Sequence, residues 1–189
     1  MIPTREQALA ILKRFNESDA LIKHALSVEA VMRHYAKEYG EDVEYWGAVG
    51  LLHDLDYEKY PEEHCKKVFE LLEAEGVDES FIRSIASHGY GICSDIQPVH
   101  RMEKVLYATD ELTGLINACA LMRPSHSVMD MEVKSVKKKF KQHSFAAGVD
   151  REIIQKGADM LGVSAEDLMA GCIEAMRTVA DDIGLGIQE

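Results

Sequence analysis

Histidine and aspartate side chains recur at places where they could bind a metal ion. His53 and Asp54 stand side by side at the end of an apolar segment, and Asp110 lies in the middle of another. Burying an imidazole or a carboxylate is costly unless a partner replaces its lost hydration, and a cation can pair with both. Three further histidines share apolar helical stripes in the same way: His24, His64 and His88. These six side chains are the candidate metal ligands.

Each of these residues also has a structural explanation when it is taken alone. A lone histidine on an apolar face is more often a core residue bonded to a carbonyl group. Asp54 could be a turn or cap residue, and Asp110 could belong to a structural salt bridge. One shared site accounts for all six together. A mixture of imidazole and carboxylate suits Mn, Fe, Co, Ni or Zn better than calcium or magnesium, which favour oxygen ligands.

The segments that carry these residues have the 3.6-residue periodicity of α-helices, and strand patterns are hard to find. Capping residues, prolines and glycines predict a first helix after Thr4 and eight more, at about 19–40, 42–53, 61–76, 78–88, 100–122, 129–143, 150–161 and 164–183. We therefore expect an all-α fold with a single domain over residues 1–189. Its metal-binding core would cover about 20–118 and a C-terminal helical extension about 127–185. Ligands spread over several helices would converge at the centre of a bundle.

The composition is that of an acidic globular protein. The chain has 189 residues, 47% of them apolar, and a formal net charge of −12. This charge argues against bulk nucleic-acid or membrane binding but is compatible with a small phosphorylated substrate and with divalent cations. No stretch approaches the roughly 20 apolar residues of a membrane span, and the N-terminus lacks a secretory signal pattern, so we expect a cytoplasmic protein. Four cysteines without paired spacing predict reduced thiols.

A run of lysines concentrates positive charge in this acidic chain. Val136 and its apolar neighbours define one face of the predicted helix, and the lysines lie on the other. This lysine face could bind a substrate phosphate, although a solvated surface is the more common role of such a face. Arg123, beside a helix end, is a weaker candidate for the same role. The lysine face consists of Lys134, Lys137, Lys138 and Lys141.

The order of the candidate ligands resembles a known signature. His24, then His53 with Asp54, then Asp110 resemble the motif of the HD-superfamily metal-dependent phosphohydrolases over about residues 20–118. The extra histidines, His64 and His88, fall where the six-ligand, two-metal members of that superfamily place theirs. Residues 55–57 read Leu-Asp-Tyr where the HDIG subgroup has Ile-Gly-Lys, so the role of that lysine cannot be carried over.

The resemblance implies an HD-type helical bundle and a mechanism. One or two divalent ions would bind, with Mg²⁺ also compatible, and Asp54 would bridge them. His53 and Asp54 would be the catalytic pair, and a metal-activated hydroxide would attack a small phosphoester such as a nucleotide or related metabolite. The first ion would be held by His24, His53, Asp54 and Asp110, and the second by Asp54, His64 and His88. Beside these, we interpret Asp56 and Glu63 as helix-start carboxylates rather than acceptors for an imidazole, and Glu111 as an ordinary helix residue.

Two alternative functions and the oligomeric state stay open at this point. A six-residue His/Asp set also resembles that of the HD-fold di-iron oxygenases, which would retain iron and consume oxygen without releasing phosphate. The protein could instead be a non-catalytic regulatory module that binds a metal or a nucleotide. The apolar stripe of the C-terminal helices is compatible with a homodimer as well as with packing inside one chain.

Overall fold

The two longest helices, Asp19–Tyr39 and Arg101–Leu121 with 21 residues each, form the centre of the structure. The computed structural model describes residues 1–187, and that range contains nine α-helices, two short 3₁₀ turns and no β-strand. The all-α prediction is confirmed. The helices are α1 (Arg5–Phe15), α2 (Asp19–Tyr39), α3 (Val43–Leu52), α4 (Lys67–Glu73), α5 (Glu79–Ala86), α6 (Arg101–Leu121), α7 (Val133–Phe140), α8 (Arg151–Leu161) and α9 (Ala165–Arg177).

Short polar side chains begin several of these helices. Thr4, Ser18 and Asp42 each accept a hydrogen bond from an amide in the first turn of α1, α2 and α3. Such bonds satisfy amide groups that have no partner inside the helix. Gly40 ends α2 in the left-handed conformation, with φ at 69°, which glycine adopts without the strain that a Cβ would add. These local signals explain why the predicted starts of the first three helices agree with the structure.

The other helices pack around the central pair. α3 lies along α2, α8 lies along α6, and α9 contacts both central helices. Gly157 allows α8 to approach closely, because a Cβ at this position would overlap Ala108 of α6. The core between the helices is apolar, with Met32, Leu52 and Leu112 among its fully buried side chains. Within residues 1–187 no helix is both long and apolar enough to cross a membrane.

The predicted helix over residues 61–76 is broken in two, and that prediction was wrong. A 3₁₀ turn covers Pro61–Glu63, Cys65 takes a left-handed conformation with φ at 64°, and α4 begins only at Lys67. The side chain of Asp56 gives the physical reason, since its Oδ2 accepts a hydrogen bond from the amide of Val68 at 2.9 Å. This bond fixes the start of α4 after the break.

Two C-terminal helices are shorter than their apolar patterns predicted. Helix α7 begins at Val133 rather than near 129, and α9 ends at Arg177 rather than near 183. The backbone around residues 127–129 has partners elsewhere, because the carbonyl of Leu185 accepts hydrogen bonds from the amide of Val128 and the hydroxyl of Ser127. Tertiary pairing between these two segments therefore replaces the helical hydrogen bonds.

Candidate metal centre

Six side chains from distant parts of the chain meet near the centre of the bundle. His24 comes from the second turn of α2, and Asp110 from the middle of α6. His53 and Asp54 follow the end of α3, where the chain leaves the helix in a series of turns. His64 follows the 3₁₀ turn before α4, and His88 lies within the 3₁₀ turn Ser87–Gly89 after α5. Two long helices and three turns thus deliver imidazoles and carboxylates to one place.

Four of these residues form what we call the first His/Asp group. Oδ1 of Asp110 lies 2.9 Å from Nε2 of His24 and 3.2 Å from Nε2 of His53. The two imidazole Nε2 atoms are themselves 3.2 Å apart. Oδ2 of Asp54 completes the group, 3.2 Å from Nε2 of His53 and 3.6 Å from Nε2 of His24. One atom from each residue therefore points toward a common centre, which could hold a metal ion.

The other oxygen of Asp54 faces a second His/Asp group. Oδ1 of Asp54 lies 3.2 Å from Nε2 of His88 and 3.4 Å from Nε2 of His64. These three residues also present their ligand atoms to one another, so they too could hold a metal ion. The single carboxylate of Asp54 is thus shared between the two groups, with one oxygen turned toward each.

Hydrogen bonds on the far side of the rings fix which nitrogen faces the centre. Nδ1 of His53 donates to the carbonyl of Gly50 at 2.8 Å, and Nδ1 of His88 donates to the carbonyl of Ile85 at 2.7 Å. A carbonyl oxygen can only accept, so the proton of each neutral ring is on Nδ1 and the lone pair is on Nε2. This arrangement orients imidazoles that bind metals in other proteins. The donor set and its support therefore fit divalent cations.

Asp56 supports the remaining imidazole, contrary to our interpretation of it as a simple helix-start carboxylate. It is fully buried, and its Oδ1 bonds Nδ1 of His64 at 2.7 Å. Its other oxygen is the one that accepts from Val68 in the first turn of α4. Asp56 therefore both orients His64 and starts the helix. Glu63, the other carboxylate interpreted in this way, is exposed.

The electrostatics of the site depend on its buried carboxylates. Burial alone would lower the pKa of His53, but the neighbouring Asp54 and Asp110 outweigh burial and raise this pKa well above its ordinary value. Burial also opposes charge on His88, yet Asp54 raises its pKa. The pKa of Asp54 is lowered, because His53 and His88 outweigh the effect of its burial. The pKa of Asp110 is lowered against burial by His53 and His24. In the absence of a cation, the carboxylates of Asp54 and Asp110 therefore favour protonation of the neighbouring imidazoles.

A cavity of about 370 Å³ opens over the two groups. Glu111, which we expected to be an ordinary helix residue, is one of its lining residues. Burial and the adjacent Asp110 raise the pKa of Glu111, and its Oε2 accepts a hydrogen bond from the amide of Asp150. The cavity is lined by His24, Asp54, Tyr57, His64, His88, Gly89, Ile92, Cys93, Tyr107, Asp110, Glu111, Gly114 and Ile153. No sequence pattern identified Tyr57, Ile92 or Ile153 as residues of this cavity.

A smaller cavity of about 240 Å³ adjoins the first and shares His24 and Gly114 with it. Gly114 lies one helical turn after Asp110, and a Cβ added to it would meet no atom within 4 Å among residues 1–187. The far wall combines polar groups such as Lys23 with apolar side chains such as Leu185. A glycine inside a helix is unfavourable, so Gly114 is the sequence signal that could have identified this opening.

The residues predicted to bind substrate phosphate lie away from both cavities. The four members of the lysine face are exposed on α7 or, in the case of Lys141, just after its end; Lys134 pairs with Glu132 at 2.6 Å, and Lys137 pairs with Glu166. Arg123 pairs with Asp130 at 3.0 Å beyond the end of α6. In the described part of the chain none of these five residues lines either cavity. Their role in substrate binding stays a prediction.

Fold and site together define an all-α protein with two adjoining His/Asp groups that could hold divalent cations. Comparison with family models adds a match of residues 21–117, more than half of the chain, to the HD domain. The chain belongs to the HD domain family, as the order of its His and Asp residues indicated, and this family consists generally of metal-dependent phosphohydrolases. Comparisons with curated proteins and with solved structures gave no match.

Proposed function

We propose that this protein is a metal-dependent phosphohydrolase that acts on a small phosphoester, with nucleotides and related metabolites as the substrate class. The observation that carries the proposal is the position of Asp54. Its two oxygens face two separate sets of imidazoles, 3.2 Å from His53 on one side and 3.2 Å from His88 on the other. A bridging carboxylate between adjacent cations is the arrangement expected of a two-metal hydrolytic site.

These distances support an assignment of ligands to the two cations. His24, His53 and Asp110 would hold one cation together with Oδ2 of Asp54, and His64 and His88 would hold another together with Oδ1. Mixed imidazole and carboxylate ligands suit Mn, Fe, Co, Ni or Zn. Divalent cations in these positions would polarise phosphoryl oxygens and make water a stronger nucleophile at neutral pH.

The protein side chains around the groups shape the substrate site. Tyr107 is almost fully buried in the cavity wall, and with Ile153 it gives the wall apolar surface that limits the access of bulk water. The phosphate would lie over the two His/Asp groups. The organic part of the substrate would extend past Gly114 into the smaller cavity, because Gly114 has no side chain to separate the two cavities.

The decisive experiment combines metal analysis with a substrate panel. Elemental analysis of freshly purified protein should find transition metal, and a panel of phosphomonoesters and phosphodiesters should show release of phosphate or alcohol that stops after removal of the metal. Bound iron with oxygen consumption and no hydrolysis would identify an oxygenase instead. Tight nucleotide binding without turnover in any metal form would identify a regulatory module.

A further inference from the structure

Two thiols meet directly beside the second His/Asp group. Cys65 follows His64 in the chain, and Cys93 lies in the loop after His88. The two sulfur atoms and a ring nitrogen of His64 all lie within 4.8 Å of one another. Sγ of Cys65 also lies 3.9 Å from both ring nitrogens of His88. Within residues 1–187 both cysteines are free thiols.

The backbone is arranged so that these thiols come together. Cys65 is one of the few non-glycine residues with a positive φ, and this conformation falls at the break between the 3₁₀ turn and α4. Gly89 lies between the thiols, and a Cβ at this position would overlap both sulfur atoms. The carbonyl of Gly89 also accepts a hydrogen bond from the amide of Cys93 at 3.0 Å, which closes the loop tightly. Thus a strained residue and a glycine both favour contact between the sulfur atoms.

One of the two thiols is accessible from two sides. Cys65 is buried, whereas Cys93 is half-buried and lines the cavity over the metal centre. Both cysteines line a surface recess of about 420 Å³. Cys93 is the more exposed of the two thiols, so a small oxidant reaches its sulfur first, and the buried Cys65 is the neighbouring partner. This order is typical of a reactive cysteine and its resolving partner.

We propose that Cys65 and Cys93 form a modification site, at which hydrogen peroxide converts the pair to a disulfide. Sulfur of Cys93 attacks one peroxide oxygen, the O–O bond breaks, and the departing oxygen leaves as water, which gives a sulfenic acid. Sulfur of Cys65 then attacks the sulfenic sulfur, the S–S bond forms, and the hydroxyl group leaves as a second water. The two thiols lose two hydrogen atoms and two electrons, and one peroxide is reduced to two waters.

The disulfide acts on the metal centre through the residues next to it. An S–S bond is about 2.05 Å long, so the sulfur atoms and the backbone that carries them must move closer together than in the free thiols. Cys65 is the next residue in the chain after His64, and Gly89 is the next residue after His88. Oxidation therefore displaces the two imidazoles of the second His/Asp group but leaves His24 and Asp110 in place. The oxidised protein loses cation binding at the second group.

The test of disulfide formation does not depend on any enzymatic activity. Metal-stripped protein is treated with hydrogen peroxide, and a non-reducing peptide map is compared with a reduced one. The expected result is a peptide linked between Cys65 and Cys93, with a mass loss of two hydrogen atoms that a dithiol reagent reverses. Cys172→Ser, which removes a buried thiol elsewhere, should still form the link, and Cys93→Ser should not. Recovery of both thiols unlinked, or of Cys93 only as sulfinic acid, would overturn the proposal.

The effect on the metal centre is measured separately by titration with Zn²⁺. This part rests on the ligand assignment under the proposed function, and the peptide map above stands without it. Reduced protein and Cys93→Ser should bind two zinc ions, whereas oxidised protein should bind one until the disulfide is reduced. Two zinc ions bound in the oxidised form would refute the coupling. Failure of the reduced protein to bind zinc would instead count against the proposed function.

Discussion

Oδ1 of Asp56 and Nδ1 of His64 are joined by a hydrogen bond of 2.7 Å inside the protein. The same carboxylate accepts a bond from the amide of Val68 through its other oxygen. One buried side chain therefore ties a candidate metal ligand to the start of α4. Its position two residues after Asp54 means that a single turn of backbone supplies both the carboxylate shared by the two His/Asp groups and the acceptor that orients an imidazole.

Replacement of Asp56 by asparagine tests this relationship. An amide has one acceptor oxygen where the carboxylate has two, so in Asp56→Asn only one of the two N–H donors, the Val68 amide or Nδ1–H of His64, keeps an acceptor. We expect cation affinity at the second His/Asp group to fall by about 10- to 100-fold. The free energy of unfolding should fall by about 1–3 kcal/mol. Calorimetric titration with Zn²⁺ and urea unfolding measure the two effects.

The matched control for this variant is Asp42→Asn. Asp42 caps α3 in an exposed position, and asparagine is an equally good capping residue. This substitution should leave both zinc binding and unfolding unchanged. Equal zinc affinity in Asp56→Asn and in the control would show that Asp56 does not orient a ligand.

Removal of single candidate ligands should lower the number of bound cations by an amount that depends on which His/Asp group loses a residue. His88→Ala leaves the first His/Asp group complete, so one cation of two should remain. Asp54→Ala removes the residue shared by both groups, so binding of both cations should weaken and phosphohydrolysis should be abolished. Elemental analysis after gel filtration and a phosphate-release assay give the two readouts. Asp182→Ala changes an exposed aspartate and should keep full metal content; unchanged hydrolysis by Asp54→Ala would defeat the mechanism.

Cation binding should release protons and weaken in acid. The carboxylates of Asp54 and Asp110 raise the pKa of His53 against burial, so a cation must displace protons from the metal-free site. The raised pKa stabilises the metal-free protein below the unfolded value near 6.5, and this contribution disappears as pH rises through the folded pKa. As pH rises over the same range, the affinity for cations increases, because fewer protons compete with the cation for the imidazoles. Titrations in buffers of different ionisation enthalpy measure the proton release, and a pH-independent affinity without release would contradict this account.

Substitution by alanine should change the free energy of unfolding in opposite directions at two glycines that lie within helices. A Cβ at Gly157 would overlap Ala108, so Gly157→Ala should separate α8 from α6 and cost about 1–3 kcal/mol of the free energy of unfolding. A Cβ at Gly114 would meet open space among the described residues, so Gly114→Ala should stabilise α6 by about 0.5–1 kcal/mol. Urea unfolding of the two variants measures both signs. Equal stability of the two would show that the contact between α8 and α6 is not close.

Replacement of Gly114 by leucine tests whether the substrate extends from the first cavity into the smaller one. The side chain in Gly114→Leu would occupy the space where the two cavities adjoin, beside Asp110. We expect kcat/KM for a nucleotide to fall by about tenfold or more, and kcat/KM for a small phosphomonoester to change little. Gly114→Ala is the matched control, with both substrates turned over normally. Equal losses for both substrates would place the organic group outside the smaller cavity.

Much of the fold was open to prediction because its signals are local. Apolar stripes at helical spacing, together with Thr4, Ser18 and Asp42 as caps, predicted the first three helices close to their observed starts. The positions of the six His and Asp residues on those stripes also identified the side chains that meet in the structure. For His24 and Asp110, which lie inside α2 and α6, the helical register decides which way the side chain points, whereas the other four lie in turns beside helices.

Features that depend on contacts between distant segments could not be predicted in this way. The break at Cys65 follows from a hydrogen bond between Asp56 and Val68, and no local pattern announces that bond. The lysine face was visible as a stripe, but its location relative to the cavities depends on how Val136 packs against the core.

The sequence by itself determined the helical class, the membership of the HD domain family and the identity of six converging side chains. Only the tertiary structure decided how Asp54 divides its two oxygens, that Glu111 lines the cavity, and that Cys65 meets Cys93. The physical reason is that periodicity fixes a side chain's direction from its own helix, whereas distances between helices are set by the packing of the whole core.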